Sequence, residues 1–437
     1  ASMLGQIGLP GGGFGFGYSA MNYVGSQHTI IPGVSFPQGQ NAIENLIPVA
    51  RISDLLLRGG EHFDFNGIRY QYPETKLVYW AGGNPFHHHQ DLNLLMKAWQ
   101  KPDTIIAHEW CWNSLAKRAD IVLPCTTTLE RQDIAMTPRD PYVVSMSKLI
   151  EPNGQARDDY DIFAGIAEEM GVGDAFTEGR SKLDWQRWIY EQTQDRAQAA
   201  KIDMPNYETF LKDGWFKLND PVKPTVMLES FREDPAANPL DTPSGRIEIF
   251  SKTVADFRYD DCPGHPVWQE PYEWLGRVDP RWPLHLISNQ PKDKLHSQFD
   301  HGQVSRAKKV NSREPIHINP RDAAELHLKN GDVVQVKNAR GACLAGVVID
   351  KALREGVVQM STGAWYDPED PSKPNSICKH GNPNVLTRDK GTSKLGQGPT
   401  AHTCMVNVDL YQKLPPSVTA HEPPEILRIE ITKHKEN

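Results

Sequence analysis

The sequence predicts an α/β protein, with a doubly wound parallel-sheet domain followed by a small C-terminal β-barrel. Two observations support this fold class. Between residues 75 and 124, runs typical of strands alternate with runs typical of helices, which indicates a parallel sheet with helices on its faces. From residue 281 onward, short apolar runs are separated by glycine-containing turns, at a spacing typical of a small barrel.

The first region contains three predicted strands and two predicted helices. TKLVYWA, DTIIAHE and DIVLP are the strands, and DLNLLMKAWQK and WNSLAKRA are the helices. In parallel sheets, ligands bind beyond the carboxyl ends of the strands. Asn84 follows the first strand, and the pair His108-Glu109 ends the second. We therefore expect these three side chains at the ligand-binding edge of the sheet.

Three consecutive histidines, His87 to His89, follow Asn84 and raise the question of a metal site. Adjacent side chains point to alternate faces of a strand or fan around a helix, so three neighbouring imidazoles rarely meet at one ion. We interpret the stretch as a polar loop leaving a strand. Its replacement should then cost about 1 kcal/mol or less, as at other surface positions.

The second region predicts the barrel. WPLHLIS, DVVQVKNARGACLAGVVID and EGVVQMS supply strands, and a short helix begins after Asn319 with Pro320 as its first residue. Within residues 241–251, a turn is expected to lead into one more short strand. We divide the chain into an α/β domain (1–173), a connector or elaboration (174–280), a barrel domain (281–412) and an extended tail (413–437).

Composition excludes several classes of protein. The chain has 437 residues and a formal net charge of −8, without a basic block, so nucleic acid is not an expected partner. No run of eighteen apolar residues is present, which argues against a membrane span. The six cysteines form no C-x-x-C pair, which argues against an iron–sulfur relay. The opening ASMLGQ reads as a segment cut from something longer.

Several long motifs resemble the dimethyl sulfoxide reductase family of molybdenum enzymes. They are VYWAGGNPF, HEWCWNSLAKRADIVLPCTTTLERQDI, TPSGRIEIF, LISNQPKDKLHSQ, GAWYDP and HGNPNVLTRDKGTSKLGQGPTAHTCMV. They are most similar to the branch that reduces S-oxides and N-oxides. The resemblance covers about residues 3–412 but only the C-terminal half of such enzymes. The family's molybdenum ligand lies in the other half, so we assign no catalytic and no metal-ligating residue here.

The resemblance implies a molybdenum ion held by two molybdopterin guanine dinucleotides. Their pyrophosphates, guanines and pterins need backbone N–H donors, a carboxylate, and amide or imidazole groups respectively. Asp159 matches the family's acidic residue for guanine, and its alternative role is a helix N-cap. Trp365 is expected to line the pterin, with a core role as the alternative. The remaining expected cofactor-binding residues are Asn84, His108, Glu109, Ser288, Asn289, Gln290, His296, Ser297, Gln298, Asn384 and Gln397.

The implied reaction is oxygen-atom transfer from a small S-oxide or N-oxide. It requires the N-terminal half of the same enzyme and an external electron donor, for which a c-type cytochrome is the candidate. A periplasmic location is expected, with the cytoplasm as the alternative. Two other interpretations remain open: a non-catalytic cofactor-binding module or truncated remnant, and a sugar- or peptide-binding module built on the Trp-rich region 174–245.

Overall fold

A computed structural model describes the chain at residues 2–13, 33–136, 141–218, 226–277 and 279–427. Contacts group the chain into two compact units. Unit 1 contains residues 1–43 and 124–251, and unit 2 contains residues 44–123 and 252–437. Each unit joins segments that are far apart in sequence. The division at residues 173, 280 and 412 stays a prediction, because it follows motifs along the chain and not contacts.

The secondary structure alternates along the chain. The described helices are α1 (Ile52–Leu57), α2 (Pro85–His88), α3 (Leu92–Ala98), α4 (Asp159–Glu169), α5 (Gly173–Thr177), α6 (Lys182–Ala199), α7 (Tyr207–Asp213), α8 (Glu229–Glu233), α9 (Lys252–Asp256), α10 (Gln303–Lys308) and α11 (Pro320–Glu325). The described strands are β1 (His62–Phe65), β2 (Ile68–Gln71), β3 (Leu77–Ala81), β4 (Thr104–Glu109), β5 (Ile121–Pro124), β6 (Asp133–Met136), β7 (Tyr142–Met146), β8 (Trp215–Lys217), β9 (Leu284–Ile287), β10 (Pro315–Ile318), β11 (Val333–Lys337), β12 (Ala342–Ile349), β13 (Val357–Gln359) and β14 (Cys404–Leu410). Within these residues, no helix is both long and apolar enough to cross a membrane.

The predicted α/β sheet is confirmed. β3, β4 and β5 form one sheet with β4 in the middle, and β3 runs parallel to β4. α3 connects β3 to β4, and the Asp91 carboxylate caps it by accepting a hydrogen bond from the Leu94 N–H at 3.1 Å. The helix predicted over WNSLAKRA was wrong. The structure has only one 3₁₀ turn there, at Ala116–Arg118. The chain must extend at Asp120, whose N–H and carboxylate both pair with the backbone of Ile105.

The predicted barrel is also confirmed. Its six strands close in the order β10-β12-β11-β14-β9-β13. β11 and β12 form an antiparallel hairpin in which Val336 lies opposite Cys343. α11 begins as expected, with Pro320 as its first residue and the Asn319 side chain accepting the Arg321 N–H at 2.8 Å.

One hydrophobic core serves both the barrel and the parallel sheet of unit 2. Phe86, just beyond β3, is fully buried and stacks on Tyr366 with ring centroids 6.3 Å apart. Burial of each such side chain stabilises the fold by about 1.5–3 kcal/mol. The main contributors are Leu92, Leu95, Trp99, Ile105, Leu286, Ile316, Val336, Val358, Leu386 and Val406. The core therefore holds the carboxyl edge of the sheet against the barrel.

Unit 1 has its own small core. β6, β7 and β8 form an antiparallel sheet, and α6 is fixed at its start by a capping box between Ser181 and Asp184. The buried side chains are Val143, Tyr190, Ala197, Met204, Tyr207, Phe210 and Leu218. Trp185 is buried, whereas Trp215 is 53% exposed. The Trp-rich region thus uses Trp185 for packing and leaves Trp215 at the surface.

The strand expected after the turn at 241–251 is wrong. Residues 246–250 contain bends and no strand, and Ile249 and Phe250 are exposed. Local hydrogen bonds close this segment, since Gly245 accepts from the Leu240 N–H and donates to the Thr242 carbonyl. The tail at 413–427 contains no strand, and its last ten residues lie outside the described part of the chain.

Candidate functional site

The carboxyl edge of the parallel sheet brings the first predicted residues together. Ala81 of β3 pairs with His108 of β4, so Asn84 and His108 leave the sheet at the same edge. Gly82 and Gly83 make the turn with positive φ angles of 81° and 76°. The Asn84 side-chain oxygen then accepts the Phe86 N–H at 3.0 Å and caps α2. Its buried Nδ2 has no hydrogen-bond partner among the described residues.

His108 and Glu109 are both buried at this edge. His108 Nε2 lies 2.7 Å from the Tyr79 hydroxyl. Burial raises the pKa of Glu109 to about 7, and a hydrogen bond with Asn113 opposes that rise only partly. The edge therefore offers a buried amide donor and a buried carboxyl group that can hold or release a proton near neutral pH.

The three histidines do not form a solvated loop, and this interpretation was wrong. His87 and His88 lie in the one-turn helix α2, and His89 is its C-cap. His87 and His89 are each about 3% exposed, because α2 packs into the core of unit 2. Their rings fan around the helix axis into three different environments, and only His88 is exposed.

Each buried histidine has its own partners. His87 Nε2 lies 3.1 Å from the Ser114 hydroxyl, and burial lowers the pKa of His87 to about 3, so the ring is neutral. His89 Nε2 lies 3.1 Å from the Ser53 hydroxyl and 3.0 Å from Asp389, which also pairs with Arg51. The pKa of His88 is lowered by desolvation and then by the imidazoles of His89 and His296.

The loop at 288–298, which we call the cofactor loop, follows β9. Ser288 is buried and Ser297 is partly buried, while Asn289, Gln290, His296 and Gln298 are exposed. The Asn289 side chain donates to the Gln290 carbonyl and accepts from Gln359. His296 has a positive φ of 52°, and the Leu295 carbonyl accepts the Gln298 N–H at 2.8 Å. The loop thus presents several polar side chains on a fixed backbone.

Trp365 connects this loop to α2. Its indole N–H donates to the Ser297 carbonyl at 3.0 Å, and its ring stacks on His87 at 5.3 Å and 15°. Its backbone N–H donates to Asp300 at 3.1 Å. Contacts with Ser297, His87 and Asp300 therefore hold Trp365 in place. A core role for Trp365 and a role in lining a ligand are compatible.

Asn384 and Gln397 lie at two separate places in unit 2. The buried Asn384 amide donates to the His87 carbonyl at 3.4 Å and accepts from the Thr387 hydroxyl at 3.1 Å. Gln397 donates to the Asp64 carbonyl of β1 at 3.1 Å. Asn384 therefore joins the group around α2, whereas Gln397 contacts the β1–β2 hairpin.

Asp159 lies in unit 1. It is exposed and is the first residue of α4, while Asp158 occupies the N-cap position. Asp158 is buried and bonded to the Thr126 hydroxyl at 2.7 Å and to Lys182 at 2.5 Å. The N-cap alternative for Asp159 is therefore wrong. Asp159 instead borders a cavity of about 400 Å³ in unit 1, together with Arg131, Gln132, Lys182, Gln186 and Tyr190.

A buried charged group, which we call the Asp300 cluster, was not predicted from the sequence. It consists of Lys294, Asp300, Lys309, Glu314, His380 and His421. Burial alone would raise the pKa of Asp300, but Lys309, His421 and their neighbours hold it well below its ordinary value. HSQFDHG places Asp300 beside the predicted loop, yet nothing local in the sequence marks its distant partners.

Two family models match this chain. One, described as molybdopterin oxidoreductase, matches residues 1–169. The other, described as molydopterin dinucleotide binding domain, matches residues 284–405. The first covers β3 to α4 with Asn84, His108, Glu109 and Asp159. The second covers the barrel from β9 to the start of β14, with the loops between. Every predicted cofactor-binding residue therefore lies inside a matched region.

Curated relatives are similar over almost the whole chain. Biotin sulfoxide reductase from Cereibacter sphaeroides is 45% identical over 94% of this chain and 55% of its own length. Dimethyl sulfoxide/trimethylamine N-oxide reductase from the same organism is 43% identical, over 97% of this chain and 53% of its own. Trimethylamine-N-oxide reductase from Haemophilus influenzae is 42% identical, over 97% of this chain and 54% of its own length. The chain spans about half the length of these relatives.

A solved structure is similar in fold. Acetylene hydratase from Pelobacter acetylenicus matches with a TM-score of 0.62 and 18% identity, over 82% of this chain and 46% of that chain. At this identity the likeness concerns the fold alone.

Proposed function

The chain belongs to the molybdopterin oxidoreductase family, and we propose that it is the C-terminal half of an enzyme that reduces S-oxides or N-oxides. The observation that carries this proposal is the 42–45% identity with three S- and N-oxide reductases. Their names point to dimethyl sulfoxide, trimethylamine N-oxide and biotin sulfoxide as the substrate class. The overall reaction consumes one oxide, two electrons and two protons, and releases the sulfide or amine and water.

The residues at the sheet edge fit molybdopterin guanine dinucleotide, the cofactor of these domains. The buried Asn84 Nδ2 lacks a hydrogen-bond partner among the described residues, and burying such a group without one costs about 1–3 kcal/mol. A ligand acceptor at this edge would remove that cost. Glu109, with its raised pKa, would meet donors of the same ligand. The bound molybdenum cofactor supplies the redox chemistry, and the protein orients it.

The other predicted residues take parts that suit their positions. Asp159 would accept hydrogen bonds from a guanine, since it is an exposed carboxylate that borders a cavity. The cofactor loop would offer the polar side chains of His296 and Gln298 to a pterin. Trp365 and Asn384 would hold that loop and α2 in place through Ser297 and His87.

Partners and location belong to this proposal as well. We expect an N-terminal half that carries the molybdenum ligand, and an external electron donor such as a c-type cytochrome. A periplasmic location fits such a donor, and a cytoplasmic location is the alternative. The alternative function is a cofactor-binding module or remnant without activity, which would also fit the match to the molydopterin dinucleotide binding domain.

Comparing two proteins tests this function. One protein is residues 1–437 as an isolated chain. The other is the same chain joined to the N-terminal half that we propose. Each would be assayed with a reduced viologen and with dimethyl sulfoxide or trimethylamine N-oxide. We expect turnover from the joined protein only, and none when it is produced with tungstate in place of molybdate. Turnover by the isolated chain would contradict the half-enzyme proposal. A joined protein that binds the cofactor without turnover would favour the inactive module.

A further inference from the structure

The Asp300 cluster is assembled from several separate stretches of unit 2. Asp300 is fully buried, and its Oδ1 accepts from the ammonium groups of Lys294 and Lys309, each at 2.7 Å. The same two ammonium groups lie 3.0 and 2.6 Å from Glu314. Two negative and two positive charges therefore balance in a site closed to water, where the loss of one partner is costly.

The second oxygen of Asp300 faces a backbone N–H and two histidines, of which His380 is the farther, with its Nδ1 at 3.7 Å. Oδ2 accepts the backbone N–H of Trp365 at 3.1 Å and lies 3.2 Å from His421 Nε2. A carboxylate only accepts, so Nε2 of His421 carries the proton. The His421 ring also meets the Trp365 ring edge-on, with centroids 5.1 Å apart. Asp300 and His421 together thus fix Trp365 by its backbone and by its ring.

Trp365, once fixed in this way, also contacts the cofactor loop. Its indole N–H holds the carbonyl of Ser297, which lies between His296 and Gln298. The chain at Gly363 also approaches the loop so closely that a Cβ there would come within 1.8 Å of the His296 carbonyl oxygen. The loop backbone at 296–298 is therefore placed by the segment that carries Trp365.

The tail is tied down just before His421. Asp367 accepts hydrogen bonds from the backbone N–H and the hydroxyl of Thr419, at 2.7 and 2.9 Å. Lys117 donates to the carbonyls of Thr419 and Ala420 at 3.1 and 3.0 Å, and Ala420 is buried. Because both N–H and carbonyl groups of the tail backbone are hydrogen-bonded, His421 faces Asp300 in one orientation.

A metal ion is a poorer explanation for this geometry. Ligand atoms of Asp300, His380 and His421 lie within 4.8 Å of one another, as in a three-ligand site. However, two ammonium groups already contact Asp300, and a divalent cation beside them would be repelled. His380 Nδ1 is also 3.0 Å from the Trp365 carbonyl, which makes it a hydrogen-bond donor there.

We infer that His421 is a positioning residue for the cofactor loop, acting through Asp300 and Trp365 to hold Ser297 and its neighbours against the bound pterin. This inference rests on the proposed function, since the loop has that ligand only in a molybdopterin enzyme. His421 itself touches no reacting atom. The C-terminal tail thereby becomes part of the cofactor site even though no cofactor residue was predicted in it.

The test uses the cofactor-loaded enzyme that contains this chain and compares His421→Ala with His421→Gln. Gln keeps a side-chain N–H donor for Asp300, whereas Ala removes it. Release of pterin from the folded protein is followed by fluorescence, and the molybdenum centre by its electron paramagnetic resonance spectrum. We expect His421→Ala to release pterin about tenfold faster, corresponding to one hydrogen bond of about 1.4 kcal/mol, and to change the spectrum.

His421→Gln should stay within about twofold of wild type in the release rate and should keep the wild-type spectrum. His402→Ala is the matched control, since His402 is an exposed histidine in the same unit, and it should change neither readout. Thr419→Ala, which loosens the tail without touching Asp300, should raise the release rate by about threefold. This variant provides a second route if His421→Ala does not fold.

Three outcomes would overturn the inference. A lower unfolding temperature of His421→Ala with wild-type release and spectrum would reduce His421 to a structural contact. Stoichiometric zinc in the wild type that is lost from His421→Ala would make it a metal ligand instead. A wild-type protein without pterin or molybdenum would contradict the proposed function and remove the basis of this inference with it.

Discussion

Two acidic positions, one in each unit, have opposite environments. Asp159 in unit 1 is exposed at the start of α4 and borders a cavity. Asp300 in unit 2 is fully buried, and its partners come from positions up to 121 residues away. An exposed carboxylate beside a cavity can meet a ligand at little cost to the fold. A buried carboxylate with several charged and polar partners contributes mainly by fixing its surroundings. Burial thus distinguishes Asp159, which can meet a ligand, from Asp300, which fixes its surroundings.

The largest effect is expected from Asp300→Asn. The amide leaves Lys294 and Lys309 with only the carboxylate of Glu314, so the free energy of unfolding should fall by about 3–5 kcal/mol. Urea denaturation of the purified chain measures this loss. The matched control is Asp370→Asn, which removes an exposed pair with Lys373 and should give no measurable change. Equal effects of the two substitutions would break the distinction between buried and exposed carboxylates.

The pH dependence of stability tests whether burial shifts the pKa of Glu109. Burial raises the pKa of Glu109 from 4.5 to about 7, so the folded chain binds its proton more tightly than the unfolded chain. Stability should therefore fall as pH rises from about 4.5 to 7, and level off above that. Between pH 5 and 8, wild type should lose roughly 2–3 kcal/mol relative to Glu109→Gln. Parallel curves for the two proteins would show that this carboxyl group ionises normally.

The histidine triplet provides an internal comparison between neighbours. His89→Ala removes the partner of Ser53 and Asp389 in a buried site, and should lower the free energy of unfolding by about 1–3 kcal/mol. His88→Ala, one residue away and exposed, should cost less than about 0.5 kcal/mol. Thermal unfolding of both variants checks this difference. Similar small losses would restore the interpretation of a solvated loop.

The smallest effect on stability is expected from Asp159→Asn, because the side chain is exposed. Binding should nevertheless change, since Asn presents an N–H₂ group where a guanine donor would point. Guanine nucleotide retention should fall by roughly 10- to 150-fold. The nucleotide released on denaturation measures this, with Asp161→Asn on the same helix as the control. Full guanine content in the Asp159 variant would contradict its assignment to the nucleotide.

Local patterns in the sequence were sufficient for much of the fold. The strand–helix alternation and the N-cap at Asn319 depend on neighbours in the chain, and β9, β11, β12 and β13 of the barrel follow from their turns. β10 and β14 were not predicted. The edge with Asn84 and Glu109 follows from strand ends in a parallel sheet. The assignment of these residues to a cofactor stays a prediction.

What the sequence did not predict depends on distant partners. His87 and His89 are buried because they contact Ser114, Trp365 and Asp389, and these contacts join positions 27 to 300 residues apart in the sequence. The Asp300 cluster likewise needs His380 and the tail. No periodic pattern within a window of a dozen residues carries that information.

The shared core of unit 2 also bears on the order in which the chain is made. The sheet region at 44–123 leaves the ribosome before the barrel strands at 284–410, and about 160 residues separate the two by subtraction of their bounds. At about 5–20 residues per second, synthesis of that stretch takes on the order of 10–30 s. During this interval Phe86, Leu92 and Leu95 have no barrel to pack against. The nascent chain therefore exposes an apolar surface for seconds. We expect a chaperone to bind this surface during synthesis.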